Sequence, residues 1–153
     1  LIISIIAHEV AHGYAALYLG DPTAKYEGRL TLNPVKHIDL FGSIILPLLL
    51  VLTGSGFIIG WAKPVPYNPY NLRNGKWGEA IVAVAGPATN MCIAVIFGLI
   101  LRFVPAQMIG SLAINMIAII ILINIVLAVF NLIPIPPLDG SKILATVLPP
   151  RFA

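Results

Sequence analysis

Four long apolar stretches, Leu1–Leu19, Leu40–Ile59, Ala80–Val104 and Ile109–Leu132, alternate with polar segments rich in Pro, Gly and Asn. Each approaches the ~20 residues with which an α-helix crosses a hydrocarbon core. A shorter helix is expected at about Leu138–Leu148, after a break at Pro134, Pro136 and Pro137, because proline removes a backbone donor and clashes with the preceding turn. The polar segment Gly20–Asp39 alternates in character at Ala24–Leu32, which predicts a short strand or hairpin. A second break, Gly60–Gly78, contains Pro64, Pro66 and Pro69 and reads as extended or turn backbone. There is no internal repeat. The pattern predicts an all-α polytopic membrane protein, with a helical transmembrane core and a small β-hairpin or strand insertion, as one unit over residues 1–153. Leu1 opens in the middle of an apolar run, as expected of a core trimmed at its N-terminus, and possible trimming at the C-terminus belongs to the same expectation.

Composition agrees. The chain is 59% hydrophobic and 10% charged, against about 25% charged in an ordinary soluble domain, and its mean hydropathy is +0.97. The net charge of +3 comes with no basic cluster interleaved with aromatics, so nucleic acid is not an expected partner. No basic leader with a small-residue cleavage site is visible. Cys92 is the single cysteine, which excludes an internal disulfide and a Cys-based metal site, and its apolar setting predicts a small buried hydrophobe.

Charge also bears on topology. If all four stretches cross fully, the nine Lys and Arg residues divide almost evenly between the two sides. If Leu40–Ile59 instead dips in and returns, all except Arg102 fall on one side. The positive-inside rule prefers the second arrangement. Pro47, Gly54 and Gly56 suit such a re-entrant segment, whose broken backbone is tolerated at membrane depth where protein or water covers it.

The first stretch contains His8-Glu9-Val10-Ala11-His12. Residues four apart share a helix face, so two imidazoles can bind one zinc ion while Glu9 serves as general base. Ionisable groups in a lipid-spanning helix are costly and mark function. A catalytic site needs a third protein ligand. Asp21, Glu27 and Asp39 lie in the polar segment, and Glu79 complements a helix N-terminus. Asp139 is distinct, because it follows the proline break between two apolar segments and precedes Gly140. At a rise of ~1.5 Å per residue, His8 and His12 lie roughly 12 to 18 Å from the basic end of their helix, and Asp139 roughly 15 Å from the end of its own. The re-entrant topology puts both ends on one side, so the three can meet at one depth. His37 is the rival third ligand; otherwise it reads as an interfacial polar residue.

These residues resemble the site-2 protease family of intramembrane zinc metalloproteases. The resemblance covers nearly the whole chain. It rests on His8-Glu9-x-x-His12, on Asn131 through Asp139-Gly140, and on Ala85-Gly86-Pro87-Ala88-Thr89-Asn90. Segments Gly28–Pro34 and Gly60–Pro66 look like those of a compact prokaryotic branch. The resemblance implies one Zn2+ per chain held by His8, His12 and Asp139, with Glu9 as base and Asn131 against substrate or oxyanion. It also implies a prokaryotic cell membrane, a site open to the cytoplasm and a single-pass membrane protein as substrate. Gly86, Ala88 and Thr89 are expected to permit close helix packing. Asn90 could face the metal cavity or make an interhelical hydrogen bond. The expected activity is peptide-bond hydrolysis at or near transmembrane segments. The edge of the Ala24–Leu32 strand or of the Lys63–Tyr67 loop is a candidate site for adding substrate as a further strand. A catalytically inactive scaffold of the same fold is the alternative, which the presence of Glu9 and all three ligands disfavours. A metal transporter would show several ligand clusters along a path, and the sequence offers one.

Overall fold

A computed structural model describes residues 1–57 and 60–148 of the chain. Four helices carry the architecture: α1 (Ile2–Tyr18), α4 (Lys76–Phe103), α6 (Ser111–Asn131) and α7 (Asp139–Val147). Three short ones complete it: the single turn α2 (Thr23–Tyr26), α3 (Leu46–Leu52) and α5 (Ala106–Ile109). Among the described residues, two helices, α4 and α6, are long and apolar enough to cross a membrane. The first, third and fourth apolar stretches agree with α1, α4 and α6 to within a few residues, α4 starting four residues early in the polar turn at Lys76, whereas the second holds only the short α3.

Helix α4 is the centre of the fold and packs on α1, α6 and α7. Its inward face is made of small residues, Gly78, Ala80, Ala83, Gly86 and Ala94, which let backbones approach closely. Pro87 lies within α4 without ending it. Cys92 follows Asn90 by two residues and so points away from that face; it is exposed, not buried as its apolar setting suggested. At the loop end, Ala16 and Leu19 of the first stretch close over Val82 and Leu72.

The strand expected at Ala24–Leu32 does not form, and no strand occurs among the described residues. The Asp21 carboxylate accepts hydrogen bonds from the Thr23 N–H and hydroxyl and starts a helical turn instead. The donors of Glu27, Gly28 and Arg29 then close on Thr23, Lys25 and Ala24, so the backbone is consumed locally. Gly28 takes a positive φ of 62° as the turn ends. Ala24 and Leu30 fold onto α1 at Gly13, where any Cβ would meet them.

The second apolar stretch begins with a π-helical turn, Leu40–Ile45, that runs into α3. The chain then comes back: the Trp61 N–H donates to the Gly42 carbonyl at 3.2 Å, and the Lys63 N–H to that of His37 at 2.9 Å. The Trp61 ring covers Gly42, where a Cβ would collide with it. Gly42, near the start of the stretch, and Trp61, just beyond it, therefore lie side by side. Ile58 and Ile59 of that stretch, Pro149 at the end of the last expected helix, and Arg151, one of the nine basic residues, lie outside the described residues.

Candidate active site

Helix α1 places His8 and His12 one turn apart, with ring centroids 4.6 Å apart and the planes nearly perpendicular. The proline break turns the chain back after α6 so that α7 begins at Asp139. Gly140 is required there, because a Cβ would collide with the Leu132 carbonyl and lie 2.6 Å from that of Ile133. Asp139 Oδ2 lies 3.1 Å from His8 Nε2 and 3.2 Å from His12 Nε2, and the two nitrogens are 3.0 Å apart. All three residues are buried.

The donor set fits a tetrahedral metal ion. Ligands about 2.0–2.1 Å from zinc at tetrahedral angles stand about 3.3–3.4 Å apart, close to the spacing seen. The tautomer of His12 fits as well. Its Nδ1 lies 2.7 Å from the Val82 carbonyl, which can only accept, so Nδ1 carries the proton and Nε2 presents its lone pair. Gly86 keeps the cradle open: a Cβ there would collide with His12 Nε2 and lie 2.6 Å from His8 Cε1. Among the described residues, His8, His12 and Asp139 form the one group able to hold a metal. Lys142, one turn along α7, stands 4.0 Å from Asp139 Oδ1 and 5.1 Å from the Tyr67 ring centroid.

Glu9 follows His8 by one position and so lies about 100° further around α1. Its Oε2 accepts the Val65 N–H at 2.9 Å, from the extended segment 61–68. Glu9, His8 and Asn131 share a cleft of about 220 Å³ with Ile5, Trp61 and Ala62. Asn131 donates one amide hydrogen to the Leu127 carbonyl at 2.9 Å. His37 does not join the cluster. It is buried, and its Nε2–H donates to the Thr31 carbonyl at 2.8 Å. It thus stands apart from the ligand group and serves as a buried tie within the loop.

A family model described as Peptidase family M50 matches residues 101–152. A Bacillus subtilis protein named "Putative zinc metalloprotease YwhC" is 42% identical over 98% of this chain and 68% of its own length. The chain belongs to peptidase family M50. This is the site-2 protease family that the motifs resemble. Other relatives include "Putative zinc metalloprotease Rip2" of Mycolicibacterium smegmatis, 33% identical over 98% of this chain and 56% of its own. "Zinc metalloprotease MJ0392" of Methanocaldococcus jannaschii is 24% identical over 99% of this chain and 34% of its own. The chain thus spans between about a third and two thirds of these relatives. No solved structure gives a significant match.

Three contributors to this family M50 site were not legible in the motifs. The Val82 carbonyl and the Val65 N–H are backbone groups, which any residue supplies, so no sequence signal marks them. Arg29 is a side chain: it is buried and donates to the carbonyls of Lys36, Lys63 (2.8 Å) and Pro64 (3.0 Å). A charged residue in an otherwise short polar loop was the available clue.

Proposed function

We propose that this chain is the core of an intramembrane zinc metalloprotease that hydrolyses peptide bonds in or beside the transmembrane segment of single-pass membrane proteins. The meeting of His8, His12 and Asp139 beside a glutamate that opens on a cleft carries this reading. In it, the three residues hold one zinc ion, Glu9 is the base and Asn131 contacts substrate. The single ligand group among the described residues favours catalysis over metal transport.

When bound, zinc supplies a Lewis acid that polarises a scissile carbonyl and makes water nucleophilic at neutral pH. Glu9 takes the proton of the attacking water and passes it to the leaving amine. The Val65 N–H engages Oε2 and leaves Oε1 for that proton. With one hydrogen of Asn131 committed to Leu127, the other is available to substrate oxygen as charge develops on it.

The lipid-embedded setting is supported by α4 and α6 and by the return of Trp61 to Gly42, which suits a re-entrant Leu40–Ile59. With that stretch re-entrant, the basic residues other than Arg102 gather on one side, the cytoplasmic one, toward which the cleft opens. With no strand at Ala24–Leu32 among the described residues, the edge offered to substrate reduces to the Lys63–Tyr67 loop, and the structure extends that candidate to the adjoining residues of the segment 61–68. Most of its polar backbone groups nearest the cleft are engaged: Trp61 by Gly42 and Ser43, Lys63 by His37 and Arg29, and Val65 by Glu9. Ala62 lines the cleft, and its N–H and C=O have no partner among the described residues, so an extended substrate pairs there.

The test is cleavage of a model single-pass substrate in proteoliposomes by protein of its relatives' length. Glu9→Gln is expected to lower kcat about 10²- to 10⁴-fold while one zinc per chain stays bound. Equal cleavage by native and variant protein would refute the mechanism. Ala62→Pro is expected to stop cleavage of the same substrate, and undiminished cleavage would sink strand pairing alone.

A further inference from the structure

Several polar atoms sealed in the helical core have no use in the scheme above. His8 Nδ1, both amide atoms of Asn90 and Asn124 Oδ1 are buried without a hydrogen-bond partner among the described residues. Asn90 and Asn124 are fully buried, at 0% exposure. A buried polar group left unmatched costs about 1–3 kcal/mol, and apolar side chains would pack at these positions without that cost.

The register of the helices places these residues on neighbouring turns. His12 bonds to Val82, and both His8 and His12 lie against Gly86, so α1 and α4 run antiparallel with each turn of one facing a turn of the other. Carried one turn further, that register sets Asn90 of α4 level with Ser4 of α1. Helix α6 completes the layer, because Asn124 Nδ2 donates to Ser4 Oγ at 3.1 Å and to the Ile120 carbonyl at 2.8 Å. The carbonyl can only accept, which fixes the amide: Nδ2 is spent, and Oδ1 is a free acceptor in the same layer. His8 supplies the complementary donor. With Nε2 directed at the metal, its proton sits on Nδ1.

We propose that Asn90 and Asn124 form the outer shell of the metal centre, holding His8 through a buried water. The water accepts from His8 Nδ1–H and donates to the Oδ1 atoms of Asn90 and Asn124. A buried water commonly has two to four such partners. His12 is oriented by a backbone carbonyl, and this layer does the same for His8. The inference rests on His8 being a ligand, and it assigns Asn90 a positioning role that the Gly86-to-Asn90 motif alone left open.

The test is zinc affinity by chelator competition in the full-length protein reconstituted in nanodiscs, with the thermal midpoint of the metal-free form as second readout. Metal-ligand partners of this kind are worth about 10- to 100-fold in affinity. Asn90→Leu is expected to weaken zinc binding by that factor while the metal-free midpoint stays equal or rises. Asn90→Asp retains the acceptor and is expected to restore affinity to near the native value. A leucine variant that binds zinc within twofold of native, or whose metal-free form melts lower with affinity unchanged, overturns the proposal in favour of an interhelical contact. If Asn90→Leu does not fold, Asn124→Leu carries the same two readouts. A native protein that binds no zinc overturns both this proposal and the metal reading beneath it, whereas loss of cleavage with zinc affinity intact would bear on the protease reading alone.

Discussion

At the scale of single residues, the site depends as much on what is missing as on what is present. A Cβ on Gly86 would run into both imidazoles, so its missing Cβ is the space they occupy. Gly86→Ala is therefore expected to displace His12 and lower zinc affinity at least about 10-fold, by analogy with loss of a ligand-orienting partner. Gly98 gives the control, since a Cβ there meets nothing within 4 Å. Gly98→Ala is expected to leave zinc binding alone and to stabilise the helix by about 0.5–1 kcal/mol. Chelator competition and thermal melts of both variants check this, and equal zinc affinity for Gly86→Ala would show that the imidazoles can shift without cost.

At the scale of elements, two buried charges fasten loops to helices. Arg29 ties Lys36, before the second apolar stretch, to Lys63 and Pro64, after it. That bracket holds the segment whose Val65 N–H engages Glu9. Arg29→Met would leave three carbonyls short of a donor, at about 1–3 kcal/mol for each that stays buried. Faster proteolytic nicking between residues 60 and 68 is expected, with zinc retained; unchanged nicking would mean that Arg29 is not the fastener. Asp21 does the same for the end of α1. Burial pushes its carboxyl up, but hydrogen bonds from Thr23, Asn71 and the Asn68 N–H outweigh burial and hold it below the ordinary range. Its folded value lies below its unfolded value of about 3.9, so its contribution to stability is complete above that pH and is lost as the pH falls through the folded value. Asp21→Asn is thus expected to lower stability at neutral pH by about 2 kcal/mol and to flatten the acid limb of the stability curve. An acid limb identical to native would count against this tie.

At the scale of the molecule, α6 buries little beyond Asn124 and Ala128 and turns Leu122, Val126, Val129 and Phe130 outward. Soluble proteins rarely expose apolar patches beyond a few hundred Å². These faces fit acyl chains, and Cys92 lies on such a face of α4. In proteoliposomes a charged, water-soluble maleimide is expected to leave Cys92 unlabelled until the protein is denatured in SDS, because lipid excludes the reagent and disfavours the reactive thiolate. Prompt labelling in intact vesicles, followed by mass spectrometry, would show that water reaches this face.

Local periodicity and residue chemistry made much of this protein legible. Apolar run length located the long helices, prolines marked where α7 separates from α6, and the His8-to-His12 spacing put two imidazoles on one helix face whatever else the chain does. Asp139 stood out because a carboxylate between apolar segments has few other uses. What depended on distant contacts was not legible. Ala24–Leu32 alternates like a strand, but Asp21 turns it into a helical loop that folds onto Gly13. Cys92 and Asn90 sit in one apolar run, and only the packing of α4 on α1 and α6 exposes one and buries the other. The sequence by itself determined which groups could bind a metal and which apolar runs could carry them, because those are properties of spacing. The tertiary structure realised the meeting of Asp139 with both histidines that spacing and resemblance had only made possible, and it alone decided that Val82 sets the tautomer of His12 and that Val65 holds Glu9, because each joins residues more than 50 positions apart through backbone groups or packing that no local pattern encodes.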